Sequence, residues 1–113
     1  MLNFFFGGVM TLTSFYVVDG DTLREGMVSI RLWGIDAPEM DTQAGRDARR
    51  YLIELTRGDE ITCEQKGTDG YGRRVAICMD SLGSDLACSL LEAGHAEEWF
   101  YFSNGYYREC RND

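Results

Sequence analysis

Asp21, Asp36 and Glu39 place three hard oxygen donors on two short stretches, "DGDT" and "RLWGIDAPE", while Arg31 and Arg73 supply guanidinium groups from "RLWGIDAPE" and "TDGYGRR". Carboxylates are ligand chemistry for calcium or magnesium, whereas zinc would want His or Cys. Arginine's planar fork of donors fits phosphate oxygens, and two forks beside a cation would stabilise the charge that develops in phosphoryl transfer. Plainer roles stand beside these. Asp19 and Asp21 suit a turn, Asp36 suits the bend before Pro38, and the arginines suit ion pairs on an acidic surface.

The elements that must bring these residues together are legible as short runs. "MTLTSFYVV" reads as a strand ending at "DGDT", whose Asp-Gly is a hairpin signal. A second strand, a turn at Glu25-Gly26 and a third strand follow, in which Val28, Ile30 and Leu32 alternate with Ser29, Arg31 and Trp33, so that Arg31 points away from the apolar face. Ala44, Ala48, Tyr51, Leu52 and Leu55 recur at helical spacing behind an Asp41 or Thr42 cap, with Gly58 as the stop. "DEITCEQ" and "RRVAICMD" are β runs joined by "KGTDGYG". "SDLACSLLEAG" is a second helix capped by Ser84 and closed by Gly94, and the tail "YYRECRND" has room for at most two helical turns. Five short strands with helices after the third and fifth predict an α+β fold with the sheet curled into a small barrel. Glycines at positions 20, 26 and 34 help it bend.

Composition bounds the rest. The 113 residues suit one domain, residues 1–113 with a core over about 10–103, and 44% apolar residues exclude a disordered chain. "LNFFFGGVM" is too short to span a bilayer and lacks the basic region and cleavage site of a signal peptide. A formal charge of −8 excludes a broad basic grip on nucleic acid, so any polyanion must be held locally.

The motifs "DGDT", "RLWGIDAPE" and "TDGYGRR", in that order, resemble the thermonuclease or staphylococcal nuclease-like family over about residues 17–102. That resemblance implies an OB-type five-stranded barrel with three helices, the last one short here, and calcium-dependent hydrolysis of DNA and RNA. It implies that Asp21, Asp36 and the backbone carbonyl of Ala37 bind Ca2+, that Arg31 and Arg73 clamp the phosphate, and that Glu39 positions or deprotonates the attacking water. Asp19 would orient metal-bound water. Tyr71 would pack against sugar or base, and Phe100 and Phe102 occupy positions where the family places tyrosines near the nucleotide. Pro38 then has a physical purpose. It sets an extended exit from the strand, so Asp36 turns toward the metal while Glu39 comes back over the adjacent water.

The chain also departs from the family. Ala37 replaces a hydroxyl residue, Gly70 replaces a lysine, and the segment after Glu39 is shorter; with the acidic charge, this predicts a weak grip on DNA. The implied substrate is single-stranded or frayed DNA and RNA, bound by a monomer without a membrane. The other reading is a catalytically weak or inactive OB-fold module that binds nucleic acid or protein. Loss of an arginine or of Glu39 would mark that class, and all three are present. Lone His95 has no catalytic task, Trp33 and Trp99 suit core or rim, and Arg46, Arg49 and Arg50 suit a solvated helix face. The four cysteines permit two bridges: Cys63 and Cys78 flank one hairpin, leaving Cys88 with Cys110, against the alternative of buried thiols. Bridges would imply an oxidising compartment and a signal peptide that was removed or omitted.

Overall fold

The computed structural model describes residues 2–5, as backbone, and 8–110. Part of "LNFFFGGVM" and the end of the predicted tail helix, residues 111–113, lie outside the described residues.

The run predicted over 10–18 is two strands, β2 (Val9–Leu12) and β3 (Tyr16–Asp19). The break has a cause: the Glu25 carboxylate accepts hydrogen bonds from the Thr13 and Ser14 backbone N–H groups at 2.9 and 2.8 Å, so the chain turns a corner with its donors satisfied. Two further strands precede the first helix as hairpin partners, β4 (Thr22–Glu25) and β5 (Val28–Leu32), and β7 (Ile61–Thr68) and β8 (Arg74–Met79) form the later hairpin. With β1 (Leu2–Phe5) on the outer edge, the strand order is β1-β2-β7-β8-β5-β4-β3, antiparallel except where β5 meets β8. β2 and β3 lie far apart in that row yet are separated by only three residues of chain, which forces the sheet to curl into an OB-type half-barrel. β6 (Ile35–Asp36) and β9 (Glu97–Glu98) make a separate short ladder. These last two and β1 are additions to the five predicted runs; for β6 and β9 the reason is that two-residue strands leave no alternation to read.

Helix α1 (Gln43–Thr56) begins at Thr42, whose hydroxyl accepts from the Gly45 N–H at 3.0 Å, and ends before Gly58, at φ +71°. Helix α2 (Leu86–Glu92) is capped by Asp85 and not by Ser84. The Asp85 carboxylate accepts from Ala87 and Cys88 N–H at 2.9 and 3.2 Å, whereas the Ser84 backbone closes the preceding loop through Asp80. Helix α3 (Phe100–Ser103) is a single turn, and a 3-10 turn follows at Arg108–Cys110.

The barrel interior holds Leu12, Leu23, Ile30, Leu32, Ile61, Leu90 and Leu91, each fully or almost fully buried and each stabilising by roughly 1.5–3 kcal/mol. All four cysteines are bridged. Cys63 lies directly opposite Cys78 across β7 and β8, and Cys88 of α2 joins Cys110. Closing loops over 15 and 22 residues contributes on the order of 3 kcal/mol each through the unfolded chain.

Candidate active site

Arg31 leaves β5 on the face opposite Ile30 and Leu32, as the alternation predicts, yet it is only 8% exposed. Its Nη1 donates to the carbonyls of Leu32 and Ile35, both at 2.9 Å. Its Nη2 donates to Asp36 Oδ1 at 3.1 Å and lies 3.4 Å from Asp21 Oδ2. A guanidinium group survives burial only where carbonyls and carboxylates replace water, and this one has both.

Asp21 comes from the tight turn between β3 and β4 and is buried. Its Oδ2 accepts from the Ala37 N–H at 2.9 Å, which ties "DGDT" to "DAPE" across 16 residues. Burial pushes its pKa up to about 6, helped by the hydrogen bond with Asp19; the Arg31 charge and the Ala37 N–H pull the other way. Ionised Asp21 therefore depends on positive charge close by.

Glu39 is exposed, but its backbone is pinned: the carbonyl accepts from the Thr42 N–H at 3.1 Å and from the Thr42 hydroxyl at 2.6 Å. The same hydroxyl caps α1, so the helix start and the Glu39 segment form one unit. Gly45 makes that unit possible. A Cβ there would overlap the Glu39 carbonyl and stand 2.8 Å from the Pro38 carbonyl oxygen. Gly20 has the same duty on the other side, since a Cβ would stand 2.7 Å from the Cβ of Ala48 and 2.8 Å from that of Ala37. Sequence reading saw Gly20 only as a bend and passed over Gly45. The available signal was a glycine in the first turn of a helix, against its propensity.

Arg73 is held locally. Asp69 Oδ1 accepts from the N–H groups of Tyr71 and Arg73, both at 2.9 Å, and Oδ2 accepts from Arg73 Nε at 2.6 Å. Burial works against the Asp69 charge, but those N–H groups and the guanidinium outweigh it and hold its pKa below the ordinary carboxylate value. Arg73 Nη1 reaches the Thr22 hydroxyl at 3.5 Å, joining this loop to the residue next to Asp21.

The outcome is one cleft of about 470 Å³ lined by Asp19, Asp21, Arg31, Asp36, Ala37, Pro38, Glu39, Met40, Tyr71 and Arg73. Four carboxylates meet two guanidinium groups there, an excess of negative charge that a cation would offset. Among the described residues, no group of three or more His, Cys, Asp or Glu side chains closes round a metal position. The cleft offers instead a few oxygen donors on an open wall, which suits a hard cation of flexible coordination.

Residues 29–112 match the family model described as staphylococcal nuclease homologue. The chain belongs to that family. It is 30% identical to the micrococcal nuclease of Shigella flexneri, over 80% of this chain and 56% of that protein. It is also 30% identical to the succinoglycan biosynthesis protein ExoI of Rhizobium meliloti (strain 1021), over 84% of this chain and 56% of that one. An uncharacterized endonuclease of Escherichia coli O157:H7 is 33% identical over 75% of the chain and 57% of its own length. The chain thus spans little more than half of the curated relatives it matches.

In this staphylococcal nuclease homologue a second hollow, about 380 Å³, adjoins the cleft and shares Arg31, Tyr71 and Arg73 with it. Trp33, Val75, Trp99 and Phe102 supply its apolar walls. The structure therefore brings Phe102 and Tyr71 beside the arginines, while Phe100, 57% exposed, lines neither space. Trp99, read from sequence as core or rim, stands with its ring 5.2 Å from the Arg31 guanidinium carbon. His95 packs against Tyr51 at 4.8 Å between ring centres and lines neither the cleft nor this hollow. Arg49 is tied down, its Nε donating to the Val17 carbonyl at 3.1 Å.

Proposed function

We propose that this chain is a calcium-dependent nuclease that hydrolyses phosphodiester bonds of DNA and RNA. The observation that carries the reading is the meeting of Arg31, Arg73, Asp21, Asp36 and Glu39 in one open cleft, from segments far apart in sequence. Arg31 and Arg73 donate to the non-bridging phosphate oxygens and favour the more highly charged transition state. Glu39, exposed on a pinned backbone, orients the attacking water and takes its proton. The water oxygen bonds to phosphorus as the bond to the 5′ oxygen breaks; the departing oxygen takes up a proton from solvent, leaving a 3′-phosphate and a 5′-hydroxyl.

Asp21, Asp36 and the Ala37 carbonyl would hold the calcium. These hard oxygens on an open wall fit its loose coordination better than magnesium's strict octahedron. When bound, the ion supplies positive charge beside the phosphate and a more acidic water. Tyr71 and Phe102 border the bound nucleotide. The expected substrate is single-stranded or frayed nucleic acid, since a formal charge of −8 weakens the grip on duplex DNA. Residues 1–113 act as one domain, with its core over about 10–103, and as a monomer. Among the described residues, no helix is long and apolar enough to cross a membrane. Two disulfides suit an oxidising compartment.

Incubation with single-stranded DNA tests the reading. Fragments should form with calcium, far fewer with magnesium and none with chelator. Intact DNA with calcium, or equal rates with both metals, counts against it.

A further inference from the structure

The two disulfides sit in unlike surroundings. Cys63 and Cys78 are fully buried in the barrel, where a reductant does not reach the sulfurs while the sheet is intact. Cys88 and Cys110 are half-buried, and their bridge ties α2 to the 3-10 turn at Arg108–Cys110. That second bridge fastens the back of the cleft. Tyr107, in the turn just before Cys110, is buried; its hydroxyl donates to Asp85 Oδ2 at 2.8 Å and its backbone N–H to Glu98 Oε2 at 2.9 Å. The Ser103 hydroxyl donates to the same Glu98 oxygen. Glu98 belongs to β9, which pairs with β6, Ile35 opposite Glu98 and Asp36 opposite Glu97.

The Tyr107 ring also covers the turn between β5 and β6, where a Cβ on Gly34 would stand 3.1 Å from its Cε2. At the other end of the segment the Trp99 N–H donates to the Gly34 carbonyl at 2.8 Å. The carbonyls that flank this turn, of Leu32 and Ile35, are the ones that hold the Arg31 guanidinium. A continuous set of contacts thus runs from the bridge through Tyr107 to Gly34 and β6, and so to Arg31 and Asp36. Resting on the nuclease reading above, we propose that the Cys88–Cys110 bridge is a redox latch on the cleft. Closed, it keeps the wall formed by Arg31 and Asp36 in place; opened, it lets the segment from Trp99 to Cys110 lift and the wall loosen.

The step is thiol–disulfide exchange with a dithiol. One thiolate of the reductant attacks a sulfur of the bridge and forms a mixed disulfide, and the other protein sulfur leaves as a thiolate; the reductant's second thiol then closes its own disulfide and releases the first. Two electrons and two protons pass to Cys88 and Cys110, and the dithiol becomes a disulfide. Without the cross-link the segment is held by a buried ring and a few hydrogen bonds, ties that open by local unfolding while the barrel stays folded. The consequence is a nuclease that works in an oxidising medium and idles in a reducing one, sparing the nucleic acid of a reducing compartment.

The test titrates the full chain with dithiothreitol in native buffer containing calcium, and locates the thiols by alkylation and mass spectrometry. Cys88 and Cys110 should be alkylated first, Cys63 and Cys78 only in denaturant. In the two-thiol form kcat/KM on single-stranded DNA should fall roughly ten- to a hundredfold and return on reoxidation. Cys88→Ser combined with Cys110→Ser should show the lowered rate with and without dithiol; should that variant not fold, the reversible loss in the native sequence decides. Unchanged kcat/KM in the two-thiol form, or all four thiols appearing together, would overturn the proposal. Hydrogen exchange separates the latch from the nuclease reading. In the two-thiol form residues 35–36 and 97–110 should exchange faster, and β7 and β8 should not. That result in a protein that never cleaves DNA sinks the nuclease reading and keeps the latch, whereas cleavage at one rate in both redox forms does the reverse.

Discussion

Arg31 and Arg73 line the same cleft, but Arg31 is 8% exposed and held by two carbonyls and two carboxylates from three segments, whereas Arg73 is held chiefly by Asp69, four residues away in its own loop. Tyr71, stacked on Arg73, is 88% exposed. The Arg31 side is thus part of the fold, and the Arg73 side is an appendage to it. Removing a partner from a buried ion pair costs several kcal/mol, while an ion pair on a loop contributes about 0–1 kcal/mol. Chemistry and stability should therefore be separable at Arg73 and inseparable at Arg31.

The largest effect expected is on Glu39, which belongs to the buried side by its backbone and to solvent by its side chain. Glu39→Gln should lower turnover by about 10²–10⁴-fold and leave the melting temperature unchanged. A fall in melting temperature would show that the side chain is structural after all.

The arginine pair itself comes next. Arg31→Lys and Arg73→Lys should each lose on the order of a hundredfold in kcat/KM, because a point charge cannot replace the fork. In denaturant melts Arg31→Lys should also lose roughly 2–4 kcal/mol, and Arg73→Lys less than about 1 kcal/mol. Equal losses of stability would erase the distinction between the two regions.

Two glycines extend the contrast to the backbone. Gly45→Ala drives a methyl into the Glu39 carbonyl and should cost about 1–3 kcal/mol together with a loss of activity, as Glu39 is displaced. Gly72→Ala in the Arg73 loop meets nothing within 4 Å, so only its φ of +81° resists, at roughly 1 kcal/mol. Unfolding and kinetics of both variants decide whether the Arg31 side is the tighter one.

The smallest effect is in pH. The Asp69 pKa is lowered on folding, so its contribution is complete above the ordinary carboxylate range and is lost as pH falls through the folded value. The stability difference between native protein and Asp69→Asn should be present at neutral pH and vanish on acidification below about pH 4. A difference that grows in acid would reverse the sign and remove Asp69 as the anchor of the loop.

Most of the fold was readable. Alternation in "VSIRL", the helical spacing from Ala44 to Leu55 and the Asp-Gly turn are local patterns whose physics acts within a few residues, and the observed strands and helices follow them. The facing of Cys63 and Cys78 was readable for the same reason, since a hairpin register relates the two by counting. The Ser84 cap was misread because two neighbouring residues offered suitable oxygens, and only the loop closed by Asp80 chose between them.

What the sequence determined by itself was the set of reactive groups, the short elements that carry them and the Arg73 loop, all governed by neighbours in the chain. Tertiary structure decided that Arg31 is buried, that Asp21 reaches the Ala37 N–H and that Trp99, rather than Phe100, stands at the arginines. It also decided that Gly45 must be glycine. Each of those facts depends on a distance between segments many residues apart, and such distances exist only after the sheet has curled and α1 has docked against it.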